Sequence, residues 1–232
     1  MSIEFYKVGG WVRDKLLGQE PKDLDFAVEA ESYEAMRQSI LGRGGEIYLE
    51  RPEFFAIRGR LPEYGAADFT LCRKDGFYSD NRRPDSVEVG NIYDDLSRRD
   101  FCCNAIAQNE SGNYLDPFGG IEDIKGKVLR AVGSPRERLC EDPLRILRAC
   151  RFEITKGFKM DRDLHDILMH DHLVIDLLKT VTKERVYEEL KRCYLFDTRL
   201  TLMFFDYYWS IERLIFENFP IKLEPKIYEA KA

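Results

Sequence analysis

The arrangement that most restricts the fold of this chain is Asp23-Leu24-Asp25, placed shortly after Gly9-Gly10-Trp11-Val12-Arg13-Asp14. Successive side chains on a strand point to opposite faces, so a strand here gives Asp23 and Asp25 one face and turns Leu24 into a core. Two carboxylates that close repel each other unless a cation lies between them, and hard oxygen donors suit Mg²⁺. Upstream, Phe5-Tyr6-Lys7-Val8 reads as a short strand and Trp11 to Leu17 as a helix, with Gly9 and Gly10 in the turn between them. A bare backbone there can approach phosphate, and the N–H groups of a first helical turn point outward. Each piece alone is common in ordinary turns and strand ends. Their order on one strand–turn–helix unit points to nucleotide chemistry.

The rest of the first half is mixed. Strand-like runs fall at Glu4–Val8, Leu24–Glu29, Glu46–Glu50, Phe54–Arg60 and Ala66–Arg73, with a helix expected at Ser32–Leu41. The polar stretch Lys74–Gly90 reads as a mobile loop, Tyr93–Arg98 as a short helix and Phe101–Gln108 as a strand. After about Gly133 the apolar spacing becomes helical, at Glu141–Ile154, Arg162–Met169, Val174–Leu178 and Lys183–Leu195. The aromatic-rich stretch from Thr198 to Ala232 reads as one further helix with an irregular end. The expected architecture is an α+β head followed by an all-helical neck.

Composition removes several classes. With 232 residues, 44% of them apolar, the chain can bury a proper core. No run approaches the ~20 apolar residues that span a bilayer, so no membrane partner is expected. The N-terminus lacks a basic region followed by an apolar run, and the six cysteines form no C-x-x-C pair. Reduced thiols in a cytoplasmic protein are the expectation. A formal net charge of −6 argues against indiscriminate polyanion binding, but Arg98-Arg99 and the series Arg145, Arg148, Arg151 supply local basic stripes.

Three further segments carry chemistry. Asp68, on the run Ala66 to Leu71, offers a third carboxylate for a pair of metal ions that clamp both oxygens of an in-line displacement. Arg99, in Arg98-Arg99-Asp100-Phe101, offers a planar, permanently charged fork for triphosphate oxygens. Asp142, Arg145, Arg148 and Arg151 recur every third residue, which on a helix makes one gently spiralling polar stripe. An acceptor at Asp142 and donors at Arg145 match the edges of a nucleobase, with Arg148 and Arg151 in reach of phosphates.

These pieces together resemble a known family. The matches, in order, are Gly9-Gly10-x-Val12-Arg13-Asp14 with Leu17-Gly18, Lys22-Asp23-x-Asp25, Asp68-Phe69-Thr70-x-x-Arg73 and Arg99-Asp100-Phe101-x-x-Asn104-Ala105. Asp116-Pro117-Phe118-x-Gly120 follows, then Glu141-Asp142-Pro143-Leu144-Arg145-x-Leu147-Arg148-x-x-Arg151-Phe152, and more loosely Glu184-Arg185-Val186. Over roughly residues 4 to 195 the chain resembles the class II tRNA nucleotidyltransferases, or CCA-adding enzymes, and the related bacterial poly(A) polymerases of the polymerase-β-like superfamily.

The resemblance implies a polymerase-β-like head over 1–133, a helical neck over 134–197 and a short helical extension over 198–232, with most of the family's helical body missing. It implies Asp23 and Asp25 as ligands of two Mg²⁺ ions, with Asp68 as the third catalytic carboxylate. Gly9, Gly10, Arg13 and Arg99 would meet the triphosphate. Asp142 and Arg145 would pair with the incoming base, with Arg148 and Arg151 completing that site. The segment 74–90 would be the loop that switches C to A addition. The implied reaction adds CMP and AMP from CTP and ATP to a tRNA 3′ end or another RNA, with release of pyrophosphate. The alternatives are a poly(A) polymerase or A-adding enzyme and, from another class, a non-catalytic RNA-binding remnant.

Overall fold

The computed structural model describes residues 3–76 and 87–221. Strand β1 (Glu4–Val8) runs through the Gly9 turn into helix α1 (Gly10–Leu16) and back into β2 (Asp25–Glu29). Helix α2 (Tyr33–Gly42) follows, capped by the Ser32 hydroxyl, which accepts from the Ala35 N–H at 3.1 Å. Next come β3 (Glu46–Arg51), a 3₁₀ turn at Pro52–Phe54, β4 (Ala56–Leu61) and β5 (Gly65–Leu71). Strands β6 (Arg73–Asp75) and β7 (Val87–Val89) pair as a small antiparallel ribbon. Helix α3 (Ile92–Ser97) leads through a 3₁₀ turn at Cys102–Asn104 to β8 (Ala107–Gln108) and β9 (Tyr114–Leu115).

The main sheet has the order β3-β4-β5-β2-β1-β8-β9, and its one parallel pair is β2 with β5. Alternation sorts the two faces. Phe26 and Val28 of β2 and Phe69 of β5 pack with Phe5, Met36 and Ile40 under α2. The Phe26 and Phe69 rings stack at 5.3 Å. Asp25 and Ala27 therefore take the opposite face, where Ala27 joins Val8, Cys72 and Leu96 in a second core.

The second half is helical. It comprises α4 (Gly120–Gly126), β10 (Val128–Leu129), α5 (Pro135–Glu141), α6 (Leu144–Lys156), β11 (Lys159–Met160), α7 (Arg162–His170), α8 (His172–Asp176), α9 (Lys183–Phe196), α10 (Thr198–Tyr207) and α11 (Trp209–Asn218). The largest core runs from Val12, Phe101 and Cys103 to Leu147, Phe152 and Leu190, so the apolar faces of α1 and α6 are buried together.

Four expectations from sequence need correction. The strand that carries Asp25 begins there, and Asp23 lies in a bend before it, so alternation along a strand does not relate the two. The ends of the polar stretch 74–90 form the β6–β7 ribbon, while 77–86 lie outside the described residues. The apolar run at Cys102–Asn104 is a 3₁₀ turn, because the Asp100 carboxylate accepts from the Phe101 N–H and the Asn104 amide and draws the chain into a local turn. The segment after Thr198 holds two described helices, which meet at Tyr208.

Candidate active site

Asp25 and Asp68 are register partners on the parallel strands β2 and β5, about 4.8 Å apart along the hydrogen-bonding direction. The ladder extends one residue further, with the Asp68 N–H donating to the Leu24 carbonyl at 3.0 Å. Burial pushes the Asp25 carboxyl above the ordinary carboxylate range. Arg99 opposes that shift, and the charges of Asp68 and Asp23 reinforce it. Such mutual repulsion is what a cation would relieve, so the donor set fits a hard divalent ion. Asp23 is exposed in the bend that precedes β2. Among the described residues no three metal-ligating side chains are drawn together in one group. Asp68 instead accepts from Arg58 at 3.4 Å.

Asp25 opens onto a cleft of about 600 Å³ between the head and the helices. Gly9, Gly10, Arg13 and Arg99 line one side, and Asp142, Arg145, Arg148 and Arg151 line the other. The structure thus brings together Asp25 and all eight residues expected to bind nucleotide, while Asp23 and Asp68 lie outside the cleft wall. Gly9 has φ +66°, and a Cβ there would come within 3.0 Å of the Arg99 guanidinium and 4.0 Å of the Asp25 carboxylate. That conformation and proximity favour glycine at this turn.

The arginines are held rather than loose. Fully buried Asp95 accepts from both Arg98 and Arg99. Arg13 donates to the Asn104 side-chain oxygen at 2.6 Å and lies 5.0 Å from the centre of the Phe152 ring. Arg151 lies 5.0 Å from the same ring and donates to Glu189. Arg148 makes paired hydrogen bonds to Asp100. Burial alone would raise the Asp100 pKa, but Arg148 and the Asn104 amide hold it well below the usual carboxylate range.

The base-reading pair is arranged differently from the helical stripe expected. Helix α6 starts at Leu144, and Asp142 is extended at φ −143°, ψ 98° in the joint between α5 and α6. The residue preceding a proline is disfavoured in the helical region, and Asp142 precedes Pro143. Its carboxylate accepts from Arg185 at 2.7 Å and from the Leu144 N–H at 3.2 Å. Arg145 donates to the carbonyls of Arg138 (2.9 Å) and Arg98 (3.1 Å) and to Glu141 (2.8 Å).

Sequence reading gave no role to Asp95, Arg185, Glu189 or Arg192, yet the first and third anchor the arginines and the other two line the cleft. The spacing Arg185, Glu189, Arg192 on one face of α9 was the available signal. All six cysteines are free. Among the described residues no helix is long and apolar enough to cross a membrane.

A mixed sheet with paired strand carboxylates, joined through an arginine-lined cleft to a helical neck, defines a polymerase-β-like head. Residues 5–130 match the poly A polymerase head domain. A CCA-adding enzyme from Anoxybacillus flavithermus is 38% identical over 191 residues, which is 82% of this chain and 46% of that protein. One from Streptococcus uberis is 37% identical over 196 residues, 84% of this chain and 46% of that protein. Among solved structures, the Bacillus stearothermophilus CCA-adding enzyme in complex with CTP aligns with TM-score 0.75 at 30% identity, over 88% of this chain and 48% of that one. The Thermotoga maritima CCA-adding enzyme complexed with tRNA aligns with TM-score 0.75 at 25% identity, over 96% and 50%. The chain belongs to the poly A polymerase head-domain family, the family of the CCA-adding enzymes. It spans about half the length of the curated relatives it matches.

Proposed function

We propose that this chain transfers CMP and AMP from CTP and ATP to the 3′ end of RNA, with a tRNA lacking its terminal CCA as the substrate class. The observation that carries this reading is Asp25, which lines an arginine-rich cleft and is register-paired with Asp68 on the next strand. Residues 1–133 would act as the catalytic head, 134–197 as the nucleotide-reading neck and 198–232 as a short extension. Cytoplasmic placement fits a tRNA-processing role.

Asp25, Asp68 and Asp23 would hold two Mg²⁺ ions. When bound, these supply charge neutralisation at the transferred phosphate and lower the pKa of the attacking hydroxyl. The chain's own groups do the remainder. Arg13 and Arg99, with the Gly9–Gly10 backbone beside them, bind the triphosphate and orient it toward Asp25. Arg148 and Arg151 add positive potential deeper in the cleft. Asp142 has carboxylate lone pairs left after its contacts with Arg185 and Leu144, and these can accept from an exocyclic amine of cytosine or adenine. Arg145 is tied to the Arg138 carbonyl of α5 and to the Arg98 carbonyl of the head, so it sets the position of that acceptor. A base that leaves these polar groups unpaired is penalised, which selects a nucleotide without a nucleic-acid template.

Incorporation of labelled CTP and labelled ATP, each on a tRNA lacking its 3′ terminus, tests the reading. Both labels are expected in product. ATP alone, in long runs, would indicate a poly(A) polymerase or A-adding enzyme. Neither label in product would favour a non-catalytic RNA-binding role. Cation binding has its own readout. Mg²⁺ should raise the melting temperature of the native chain, because it relieves the repulsion around Asp25, and should leave Asp25→Asn nearly unmoved. In the absence of metal, Asp25→Asn should melt higher than the native chain at pH 7. The sign follows from the raised pKa: a carboxyl raised on folding stabilises below its unfolded value and loses that contribution as pH climbs through the folded one.

A further inference from the structure

We propose that the groove on the far side of Asp68 seats the 3′-terminal nucleotide of the RNA being extended, with Arg51 and Arg58 binding its phosphate. This rests on the nucleotidyltransferase reading above. Register pairing sets Leu49, Arg58, Asp68 and Asp25 in one row across four neighbouring strands. Each step in such a row is about 4.8 Å. At one end of the row Asp25 faces the arginine cleft. At the other lies a separate groove of about 250 Å³, lined by Leu49, Arg51, Ala56, Ile57, Arg58 and Asp68.

In-line displacement fixes what each side must hold. The entering and leaving oxygens sit on opposite sides of the reacting phosphorus. With the triphosphate on the arginine side of the carboxylates, the attacking 3′-hydroxyl arrives from the Asp68 side. The hydroxyl gives its proton to water, its oxygen bonds to the α-phosphorus, and the bond to pyrophosphate breaks, with pyrophosphate taking the electron pair and leaving on the arginine side.

The groove has the chemistry for that occupant. The Arg51 side chain, exposed at the end of β3, makes no hydrogen bond or ion pair among the described residues. Arg58 is 61% exposed, and its single contact with Asp68, at 3.4 Å, is long. Two guanidinium groups without a firm acidic partner suit a phosphodiester, to which Arg presents a bidentate fork. Leu49, 46% exposed, with half-buried Ala56 beside it, offers an apolar surface for a ribose or base.

The test is binding of a fluorescent RNA hairpin with a single-stranded 3′ end, followed by anisotropy in EDTA between 50 and 200 mM salt on the order used to count phosphate contacts. The double variant Arg51→Gln/Arg58→Gln is expected to bind about tenfold more weakly at the low-salt end, with a log–log salt slope shallower by about 0.7, the share of one single-strand phosphate. Its ATP affinity and melting temperature should match the native chain, since both side chains are exposed and lie outside the cleft. Unchanged RNA affinity and slope in the double variant would overturn the groove assignment while leaving the reaction class intact. A native chain that binds neither ATP nor RNA would overturn both.

Discussion

Asp25→Asn should lower nucleotidyl transfer by about 10³-fold or more, equivalent to ~4 kcal/mol of transition-state stabilisation. The side chain keeps its size and loses one charge. Asp25 is the carboxylate that both faces the arginine cleft and pairs in register with Asp68, so it stands where the two halves of the reaction meet. The predicted split is informative. Affinity for CTP or ATP in the absence of metal should change little, because Arg13, Arg99 and the glycine turn are untouched. The turnover rate should collapse, because charge neutralisation at the transferred phosphate is lost. Fluorescence binding without metal, paired with single-turnover incorporation, separates the two. Incorporation within tenfold of the native chain would remove Asp25 from the chemistry.

Several parts of this site were legible in sequence because local rules decide them. Strands β1, β2 and β5 alternate large apolar residues on one face, so their existence follows from period two. The Gly9 turn was legible because a positive φ beside a crowding guanidinium favours the residue without a Cβ. The β6–β7 ribbon was hidden by its polar composition, since a solvated two-stranded ribbon need bury little. Asp142 was placed on a helix by its three-residue spacing to Arg145, and Pro143 lies between them. Its effect on the preceding residue decided the geometry instead.

What sequence could not give was the pairing among distant charges. Asp142 meets Arg185 across 43 residues, Arg151 meets Glu189 across 38, and Arg148 meets Asp100 across 48. No periodicity links α3, α6 and α9, so these partners emerge only when the helices pack on α1 and the Cys102–Asn104 turn. The consequence is functional. Arg148 and Arg151 are each fixed by an acid on another element, and Arg13 by the Asn104 amide oxygen, so the cleft presents donors whose orientation is set before substrate arrives. A chain of net charge −6 can thereby carry a concentrated basic site.

The second large effect concerns that fixing. Arg148→Met should destabilise the fold by about 3–5 kcal/mol, because it leaves the Asp100 charge buried without its counter-ion. Asp100 is 8% exposed, and the Phe101 N–H and the Asn104 amide remain as its donors. Against a typical domain stability of ~5–15 kcal/mol this is a severe loss, visible as a lower urea midpoint. The pH dependence fixes the cause. The native Asp100 pKa is depressed, so its contribution is present above the unfolded carboxylate value of about 3.9 and is lost as pH falls toward the folded one. In the variant the depressing partner is gone, so the gap between the two proteins should be widest near pH 7 and narrow below about pH 4. Asp100→Asn in the Arg148→Met background should recover part of the loss, since it removes the uncompensated charge. A gap independent of pH, with no recovery in the double variant, would mean that Arg148 acts through packing of its stem on α6 and α9 rather than through the ion pair.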